Sequence, residues 1–298
     1  MIYNFSFIIP HKNCPDLLQR CVDSIPERDD VQVIVVDDNS DDGKKPLLKS
    51  RANLQVVLLD AKHSKGAGRA RNVGLEHAEG KWLLFADADD YYNYGLLDIL
   101  DKYATDEITD MVFLNARMFN EKDETLPLRL NSLVDDIINH RKNAALMLRF
   151  TFWTPWSRMI KRKIVTDNHI LFDETMARND KNFILECSSK AVSFEVEKNK
   201  IYNYFRPSYG SMTDKKRTVA LLDDMVKITS RTNRIYKSVN IRLRYSYIEI
   251  FYKTSFVAGL GKRDIFVKYL SALWKNKVCL FSDVMYYIMK KKNINILF

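Results

Sequence analysis

The sequence predicts an α/β fold in which a mostly parallel central sheet is flanked by helices and followed by a helical C-terminal region. Two observations support this fold class. Short apolar runs alternate with stretches of helical spacing as far as Asp90, which is the pattern of a parallel sheet with helices on its faces. From Lys215 onward, apolar residues recur at intervals of three and four, as in amphipathic helices. We therefore expect one domain over residues 1–214 and a basic helical region over residues 215–298.

The predicted strands are nearly continuous apolar runs that end at polar turns. Between the first two strands, Pro15 suits the first turn of a helix. In chain order, the predicted elements are a strand over Phe5 to Ile9, the helix after Pro15, strands over Val31 to Val36 and Leu54 to Leu59, a helix that ends near Ala78, strands over Trp82 to Ala86 and Met111 to Leu114, a helix from Asp180 to Ala191, and short strands near Val192 to Val196 and Ile201 to Phe205. The apolar stripe of the C-terminal region consists of Leu221, Leu222, Met225, Ile228, Tyr245, Ile248, Phe251, Tyr252 and Phe256.

Composition narrows the class of protein. The chain has 298 residues, of which 46% are apolar, so it can bury a sizeable core. No apolar stretch reaches the ~18 residues that a membrane-spanning helix needs. The four cysteines show no metal-ligand or disulfide spacing, and the N-terminus lacks the pattern of an export signal. We therefore expect a globular protein of the cytoplasm.

The positive charge is unevenly distributed. The overall net charge is +9. Residues 215–298 contain 18 Lys or Arg and 5 Asp or Glu and so have a net charge of +13, which leaves a net charge of −4 for residues 1–214. The basic residues alternate with apolar stripes and match no nucleic-acid-binding module, so we expect no nucleic-acid partner. Two interpretations of this region stay open. One is peripheral contact with an anionic membrane at the inner face of the cell membrane; the other is a helical subdomain with solvated lysines or a contact between the subunits of a homodimer.

Acidic clusters follow the second and fourth predicted strands. They are Asp37-Asp38 and Asp87-Ala-Asp89-Asp90. Because ligands of open α/β sheets bind beyond the carboxyl ends of the strands, both clusters are expected at the ligand side. Two carboxylates at i and i+2 suit Mg²⁺ or Mn²⁺, which typically also bind substrate phosphates. A single such pair is also compatible with a solvated turn, but the second cluster favours a binding crevice.

Two further segments have both a functional and a structural interpretation. The turn from Lys65 to Asn72 (KGAGRARN) has glycines, a helix start and two arginines, which suit a diphosphate, or it is a helix start with solvent-facing arginines. It is not a dinucleotide fingerprint, since it follows the third strand and lacks the third glycine.

Asp180 begins a predicted helix, so it is either a helix cap or a general base. No Walker-type, nucleophile-elbow or histidine-based motif occurs, which disfavours P-loop proteins and hydrolases.

The motifs in their order resemble the family 2 glycosyltransferases, which have the GT-A fold. They are Phe7-Ile-Ile-Pro10, Ile34 to Ser40 (IVVDDNS), Ala70-Arg-Asn72, Phe85 to Asp90 (FADADD), Trp156 to Ile160 (WSRMI), Phe172 to Phe183 and Ile201 to Ser211. The resemblance covers residues 5–213. It implies a metal-dependent inverting hexosyltransferase that moves a sugar from a nucleotide-diphosphate donor, a UDP-sugar, to a hydroxyl group of a saccharide or lipid-linked acceptor. Such enzymes build bacterial surface polysaccharides.

The resemblance also implies roles for individual residues. Pro10, Asp37, Asp38 and Arg71 would bind the nucleotide, Asp87 would face the ribose, Asp89 and Asp87 would hold Mn²⁺ or Mg²⁺, and Asp180 would be the catalytic base. The chain departs from the family pattern at Asn179, where Glu is common, and at His11-Lys12, where an aromatic residue is frequent. Loss of the Glu removes a negative neighbour that would raise the pKa of Asp180.

A single base opposite the leaving group predicts one in-line displacement with inversion, so a UDP-α-sugar would give a β-linkage. The diphosphate leaves readily only if cations neutralise its developing charge. The alternative is a non-catalytic nucleotide-sugar-binding or scaffold protein, in which Asn179 marks the loss of turnover.

Overall fold

The computed structural model describes residues 3–175, 177–207, 219–241, 245–254 and 261–291. Within these residues, helices flank one mixed sheet and four more helices follow it. The strands are β1 (Phe5–His11), β2 (Val31–Asp37), β3 (Leu54–Leu58), β4 (Trp82–Phe85), β5 (Tyr91–Tyr92), β6 (Met111–Phe119), β7 (Thr125–Leu126), β8 (Arg158–Lys161) and β9 (Phe194–Phe205). The helices are α1 (Pro15–Asp23), α2 (Ala67–His77), α3 (Gly95–Tyr103), α4 (Arg129–Ile138), α5 (Ala144–Thr151), α6 (Arg162–Asp167), α7 (Lys181–Lys190), α8 (Val219–Ser238), α9 (Tyr247–Thr254), α10 (Lys262–Lys275) and α11 (Leu280–Lys291).

The sheet has the order β3-β2-β1-β4-β8-β6-β9-β5, with β7 on β6. The first four strands in this order are parallel, as predicted. β8, which the sequence did not predict, runs antiparallel to β4 and β6 and joins the two halves. The two short strands predicted near residue 200 are one strand, β9, whose pairing with β6 shifts in register around Asn115. The α/β prediction is therefore confirmed, and the sheet is mixed in its second half.

Burial on both faces explains the apolar runs of β1, β2 and β4, whereas the edge strand β3 is partly exposed. Every residue of β2 and β4 is buried, because helices cover the sheet on either side. α2 lies very close to β1: a Cβ atom at Gly74 would lie 2.3 Å from Cγ2 of Ile8. This packing fixes α2, and with it the buried Arg71, against the middle of the sheet.

The C-terminal helices are attached to the sheet domain through α8. α8 packs on α7, and the Tyr236 hydroxyl donates a hydrogen bond of 2.7 Å to the carbonyl oxygen of Phe150. A separate apolar cluster, which includes Leu222, Phe251 and Tyr269, joins α8, α9 and α10. Of the predicted stripe, the side chain of Tyr252 and all of Phe256 lie outside the described residues, as do residues 208–211 of the last motif. Among the described helices, none combines the length and the apolar character that crossing a membrane requires.

Candidate functional site

The two predicted acidic clusters end at the same edge of the sheet. β2 and β4 both pair in parallel with the central strand β1, so the turns that follow them are neighbours. His11, the last residue of β1, lies opposite Asp37 in this register, and the partly exposed Pro10 lies opposite Val36. This edge is where an open α/β sheet binds its ligands.

The Asp37 carboxylate is buried and bonded within the protein. Its Oδ1 atom lies 2.7 Å from Nδ1 of His11, and its Oδ2 atom accepts a hydrogen bond of 3.0 Å from the Ser40 amide. Nε2 of His11 accepts a hydrogen bond from the Cys14 amide, so Nδ1 carries the proton and donates to Asp37. Asp37 therefore holds the ends of β1 and β2 together. Its role toward a nucleoside stays a prediction.

The Asp38 carboxylate binds the start of α2. Its two oxygens accept hydrogen bonds of 3.1 Å and 3.0 Å from the amides of Lys65 and Gly66. Gly66 has a φ of +86°, which favours glycine, and a Cβ atom at Gly68 would lie 2.2 Å from the Asp173 carbonyl oxygen. The glycines of this turn thus allow contacts inside the protein, and the two amides bind Asp38. These two amides are therefore occupied by Asp38, and the interpretation that the turn suits a diphosphate stays a prediction.

Arg71 connects the acidic turn after β4 with the segment before α7. The residue is 6% exposed. Its Nη2 atom donates a hydrogen bond of 2.6 Å to Oδ1 of Asp87, and its Nη1 atom donates one of 3.1 Å to Oδ1 of Asn179. The guanidinium group also lies over the Phe172 ring, 5.5 Å from its centre. The departure from the family pattern at Asn179 is therefore in direct contact with Arg71.

Asp180 lies at the start of α7 but makes no side-chain capping hydrogen bond to it. Burial raises the pKa of the Asp180 carboxyl, the positive charge of Arg71 opposes this shift, and the negative charge of Asp87 adds to it. Asp180 as a whole residue is still partly exposed. A carboxylate with a raised pKa that is not used as a cap has the properties of a general base.

The Asp89 carboxyl lies beside Asp87 at the exit of β4. Burial, and then the charge of Asp87, raise the pKa of Asp89 to about 6. Arg20 is bonded to the main-chain carbonyl of Asp89, at 2.6 Å, and not to its carboxylate. A buried carboxylate whose proton affinity is raised by a neighbouring carboxylate also favours a hard cation. In the described part of the chain no group of three or more His, Cys, Asp or Glu side chains is placed to hold a metal, so a cation here would need oxygens from a ligand.

Asp90, to which the sequence analysis assigned no role, fixes the acidic turn. It is fully buried and accepts hydrogen bonds of 2.6 Å from the Tyr202 hydroxyl and 2.7 Å from the Phe205 amide. The Tyr202 oxygen in turn accepts a hydrogen bond of 3.0 Å from the Asp87 amide. The Tyr202 ring stacks on Trp156 at 5.0 Å. The only local sign of this role is that a third acid, Asp90, follows the Asp87-Ala-Asp89 motif. Its partner Tyr202 could not be predicted, because it lies 112 residues away in the sequence.

The loop before Asp180 is fixed by α8. The Asp173 amide donates to the Asn179 carbonyl oxygen, and its carboxylate accepts hydrogen bonds of 2.8 Å from Asn182 and 2.6 Å from Arg231. Arg231 also bonds both oxygens of Glu186 on α7. The C-terminal region therefore contributes to the position of Asp180, which no local sequence pattern indicated.

The structure thus brings Arg71, Asp87, Asn179 and Asp180 into one site, with Asp89 two residues beyond Asp87. The carboxylates of Asp37 and Asp38 belong to the adjoining strand end, where they bond protein groups. The nucleotide, metal and base roles of all these residues stay predictions.

The chain matches one family model and several curated relatives. The model of the family described as glycosyl transferase family 2 matches residues 6–168. Poly(ribitol-phosphate) beta-N-acetylglucosaminyltransferase TarS of Staphylococcus aureus strain Mu50 is 25% identical over 208 residues, 67% of this chain and 35% of TarS. The cholesterol galactosyltransferase of Borreliella burgdorferi is 22% identical over 271 residues, 85% of this chain and 75% of that protein.

The fold is shared with a solved structure. The crystal structure of S. aureus TarS 1-349 in complex with UDP-GlcNAc superposes with a TM-score of 0.64 and 19% identity, over 91% of this chain and 80% of that one. This match confirms the predicted GT-A fold. The chain spans about a third of the full length of TarS.

Proposed function

The chain belongs to glycosyl transferase family 2, and we propose that it transfers a sugar from a UDP-sugar to a hydroxyl group of a saccharide or lipid-linked acceptor. One observation carries this proposal: Arg71 bonds both Asp87, on the donor side of the sheet edge, and Asn179, next to the proposed base. The names of the relatives support it, since TarS and the Borreliella protein are both sugar transferases. The complex of TarS with UDP-GlcNAc supports UDP as the nucleotide.

Asp180 is the proposed base. Its carboxylate accepts the proton of the acceptor hydroxyl while that oxygen forms a bond to the anomeric carbon of the donor. The bond from this carbon to the diphosphate oxygen breaks, and the diphosphate leaves with the electron pair. One base and one displacement invert the anomeric carbon, so a UDP-α-sugar gives a β-linkage. The name of TarS, a beta-N-acetylglucosaminyltransferase, supports this stereochemistry.

Asp87 and Asp89 are the proposed ligands of Mn²⁺ or Mg²⁺, which would neutralise charge on the departing diphosphate. The residues fit such an ion because both are oxygen donors and the pKa of Asp89 is raised to about 6 by burial and by Asp87. Arg71 adds a fixed positive charge to the same side of the site. Pro10, Asp37 and Asp38, at the ends of β1 and β2, are proposed to line the nucleoside pocket.

The proposed setting is the synthesis of a bacterial surface polysaccharide, since TarS is named for its action on poly(ribitol-phosphate). The division at residue 214 is part of the proposal: residues 1–214 hold every residue assigned to donor, metal or base. The helices after it contribute Arg231, which positions the loop before Asp180.

Thermal unfolding tests the donor site. We expect UDP or a UDP-sugar with Mn²⁺ to raise the melting temperature, because a ligand that binds the folded state stabilises it. The shift should be lost in Asp89→Ala, and GDP-sugars should give a smaller one. Transfer from radiolabelled UDP-sugars to acceptors then tests turnover. Donor binding without transfer to any acceptor would favour the alternative, a nucleotide-sugar-binding or scaffold protein in which Asn179 marks lost activity.

A further inference from the structure

The last two described helices expose several large apolar side chains. On α10, Phe266, Leu270 and Trp274 recur every four residues, and on α11 Phe281 and Met285 do the same, so each helix presents one stripe. Trp274 is 87% exposed. We call this surface the apolar face; it consists of Phe266, Val267, Leu270, Trp274, Leu280, Phe281, Met285 and Ile288.

The opposite side of α10 is already packed. Tyr269 and Leu273 lie in the apolar cluster with α8 and α9, so the helix is apolar both toward the protein and toward solvent. An open groove lined by Leu270, Trp274 and Leu280 joins the stripes of the two helices. A large apolar patch rimmed by polar residues marks an interaction surface, because in water it carries an unfavourable hydration free energy.

Charge identifies the kind of partner. Residues 261–291 contain seven Lys or Arg and two Asp or Glu. Arg263, Lys275 and Lys277 are exposed around the apolar face. Of the two acids, Asp283 is buried and accepts hydrogen bonds from the amides of α9, which leaves Asp264 as the exposed acid among the described residues of this segment. Two copies of this surface would repel each other, whereas an anionic bilayer complements its charge.

We propose that the apolar face and its basic rim bind the surface of an anionic lipid bilayer, with Phe266, Trp274 and Phe281 inserted at the level of the headgroups. Aromatic side chains with nearby Lys and Arg are the combination that holds a helix in this interfacial plane. The surface would bring the site at the sheet edge to a lipid-linked acceptor. Only this last consequence rests on the proposed function.

Vesicle sedimentation of the full chain tests the proposal, with phosphatidylcholine alone and with added phosphatidylglycerol. We expect binding to the anionic vesicles that weakens at high salt. The variant Phe266→Ser/Trp274→Ser/Phe281→Ser should bind about tenfold more weakly or worse, since burial of each aromatic side chain contributes to binding. The control Leu47→Ser/Ile108→Ser/Val192→Ser removes three side chains that are 86%, 85% and 89% exposed elsewhere, and it should bind as wild type.

A second measurement does not depend on the folding of the triple variant. Trp82, Trp153 and Trp156 are buried or partly buried, so Trp274 dominates the solvent-accessible tryptophan fluorescence. Anionic vesicles should shift this emission to shorter wavelength, and Trp274→Phe should abolish the shift. Arg263→Gln/Lys275→Gln/Lys277→Gln should reduce the preference for anionic over neutral vesicles.

Three results would overturn the proposal: no binding of wild type to anionic vesicles, equal binding by the apolar triple variant, or a dimer in sedimentation velocity that the same variant dissolves while vesicles stay unbound. The last would make the apolar face a contact between copies. Stabilisation by UDP is measured separately, so vesicle binding without it would contradict the proposed function and leave this surface intact.

Discussion

Nη2 of Arg71 donates a hydrogen bond of 2.6 Å to Oδ1 of Asp87, which ties the middle of α2 to the acidic turn after β4. The other terminal nitrogen of the same guanidinium group bonds Asn179, the neighbour of Asp180. A planar group with two fixed donors can hold two segments in one geometry, which a single ammonium cannot. Arg71 is therefore the residue that relates the proposed donor side of the site to the proposed base side.

Arg71→Lys tests this relationship. Lysine keeps the charge but loses one or both hydrogen bonds to Asp87 and Asn179, so we expect kcat/KM to fall roughly 10–100-fold. The control is Arg141→Lys, at an exposed position after α4 that pairs with Asp136 at 3.2 Å. Equal kinetics for the two variants would contradict the bridging role.

Asp180→Asn removes the proposed base while it keeps the shape of the side chain. We expect kcat to fall about 10²–10⁴-fold, with the UDP-dependent thermal shift unchanged. Asp167→Asn, at an exposed position, is the control. Because burial raises the pKa of Asp180, the wild-type rate should fall with decreasing pH at values above the ordinary pKa of 3.8, as the base becomes protonated. Turnover in Asp180→Asn close to wild type would show that another group is the base.

Asn179→Glu restores the residue that is common in the family. The new carboxylate would pair with Arg71 and add a negative charge beside Asp180, and both effects raise the pKa of Asp180. We expect the acidic side of the pH–rate profile to move to higher pH. The control Asn179→Gln has the length of Glu without its charge, so its pH–rate profile should match that of wild type. If wild type, Asn179→Gln and Asn179→Glu all gave the same profile, residue 179 would have no electrostatic effect on the base.

The parallel half of the sheet could be predicted because each strand is a local apolar run, which is buried in β1, β2 and β4 and partly exposed in the edge strand β3. β8 could not, since its sequence, RMIK, is only four residues long and has a cation at each end, which is no strand pattern. Both of its cations are nevertheless buried: Arg158 donates to main-chain carbonyl oxygens, among them that of Thr154 at 2.7 Å, and Lys161 donates to that of Asp106. Such partners come from the tertiary fold and leave no signal in the strand itself.

The candidate site could likewise be predicted only in part from the sequence. The position of Asp87 and Asp89 at a strand end follows from periodicity, and family resemblance adds Asp180. The hydrogen bonds between these groups could not be predicted from the sequence, because they join segments that are distant in the chain. An example is the bond between the Asp38 carboxylate and the amide of Gly66. Local chemistry therefore predicts which carboxylates reach the sheet edge, while packing decides which remain available to a ligand.

Asp89→Asn should abolish the part of the thermal stabilisation by UDP that depends on Mn²⁺, because the amide is a weaker ligand for a hard cation. Protons compete with the cation for the wild-type carboxylate, whose pKa is raised to about 6 by burial and by Asp87. The Mn²⁺-dependent shift should therefore decrease as the pH falls below about 6 and be complete above it. Asp98→Asn, on an exposed position of α3, is the control, and an unchanged Mn²⁺ effect in Asp89→Asn would remove Asp89 from the metal site.

Asp90→Ala should destabilise the fold by about 2–5 kcal/mol, since it leaves the buried Tyr202 hydroxyl and the Phe205 amide without their acceptor. Urea unfolding measures this loss, and a cycle with Tyr202→Phe should show that the two substitutions are not additive. The pKa of Asp90 is raised well above its ordinary value by burial and by the charges of Asp87 and Asp89.

The folded state therefore holds the Asp90 proton more tightly than the unfolded state does. This contribution to stability is complete below the ordinary pKa and is lost as the pH rises toward the folded value. The alanine variant lacks the group and should lack this part of the pH dependence. A variant that loses less than about 1 kcal/mol would mean that the turn does not depend on Asp90.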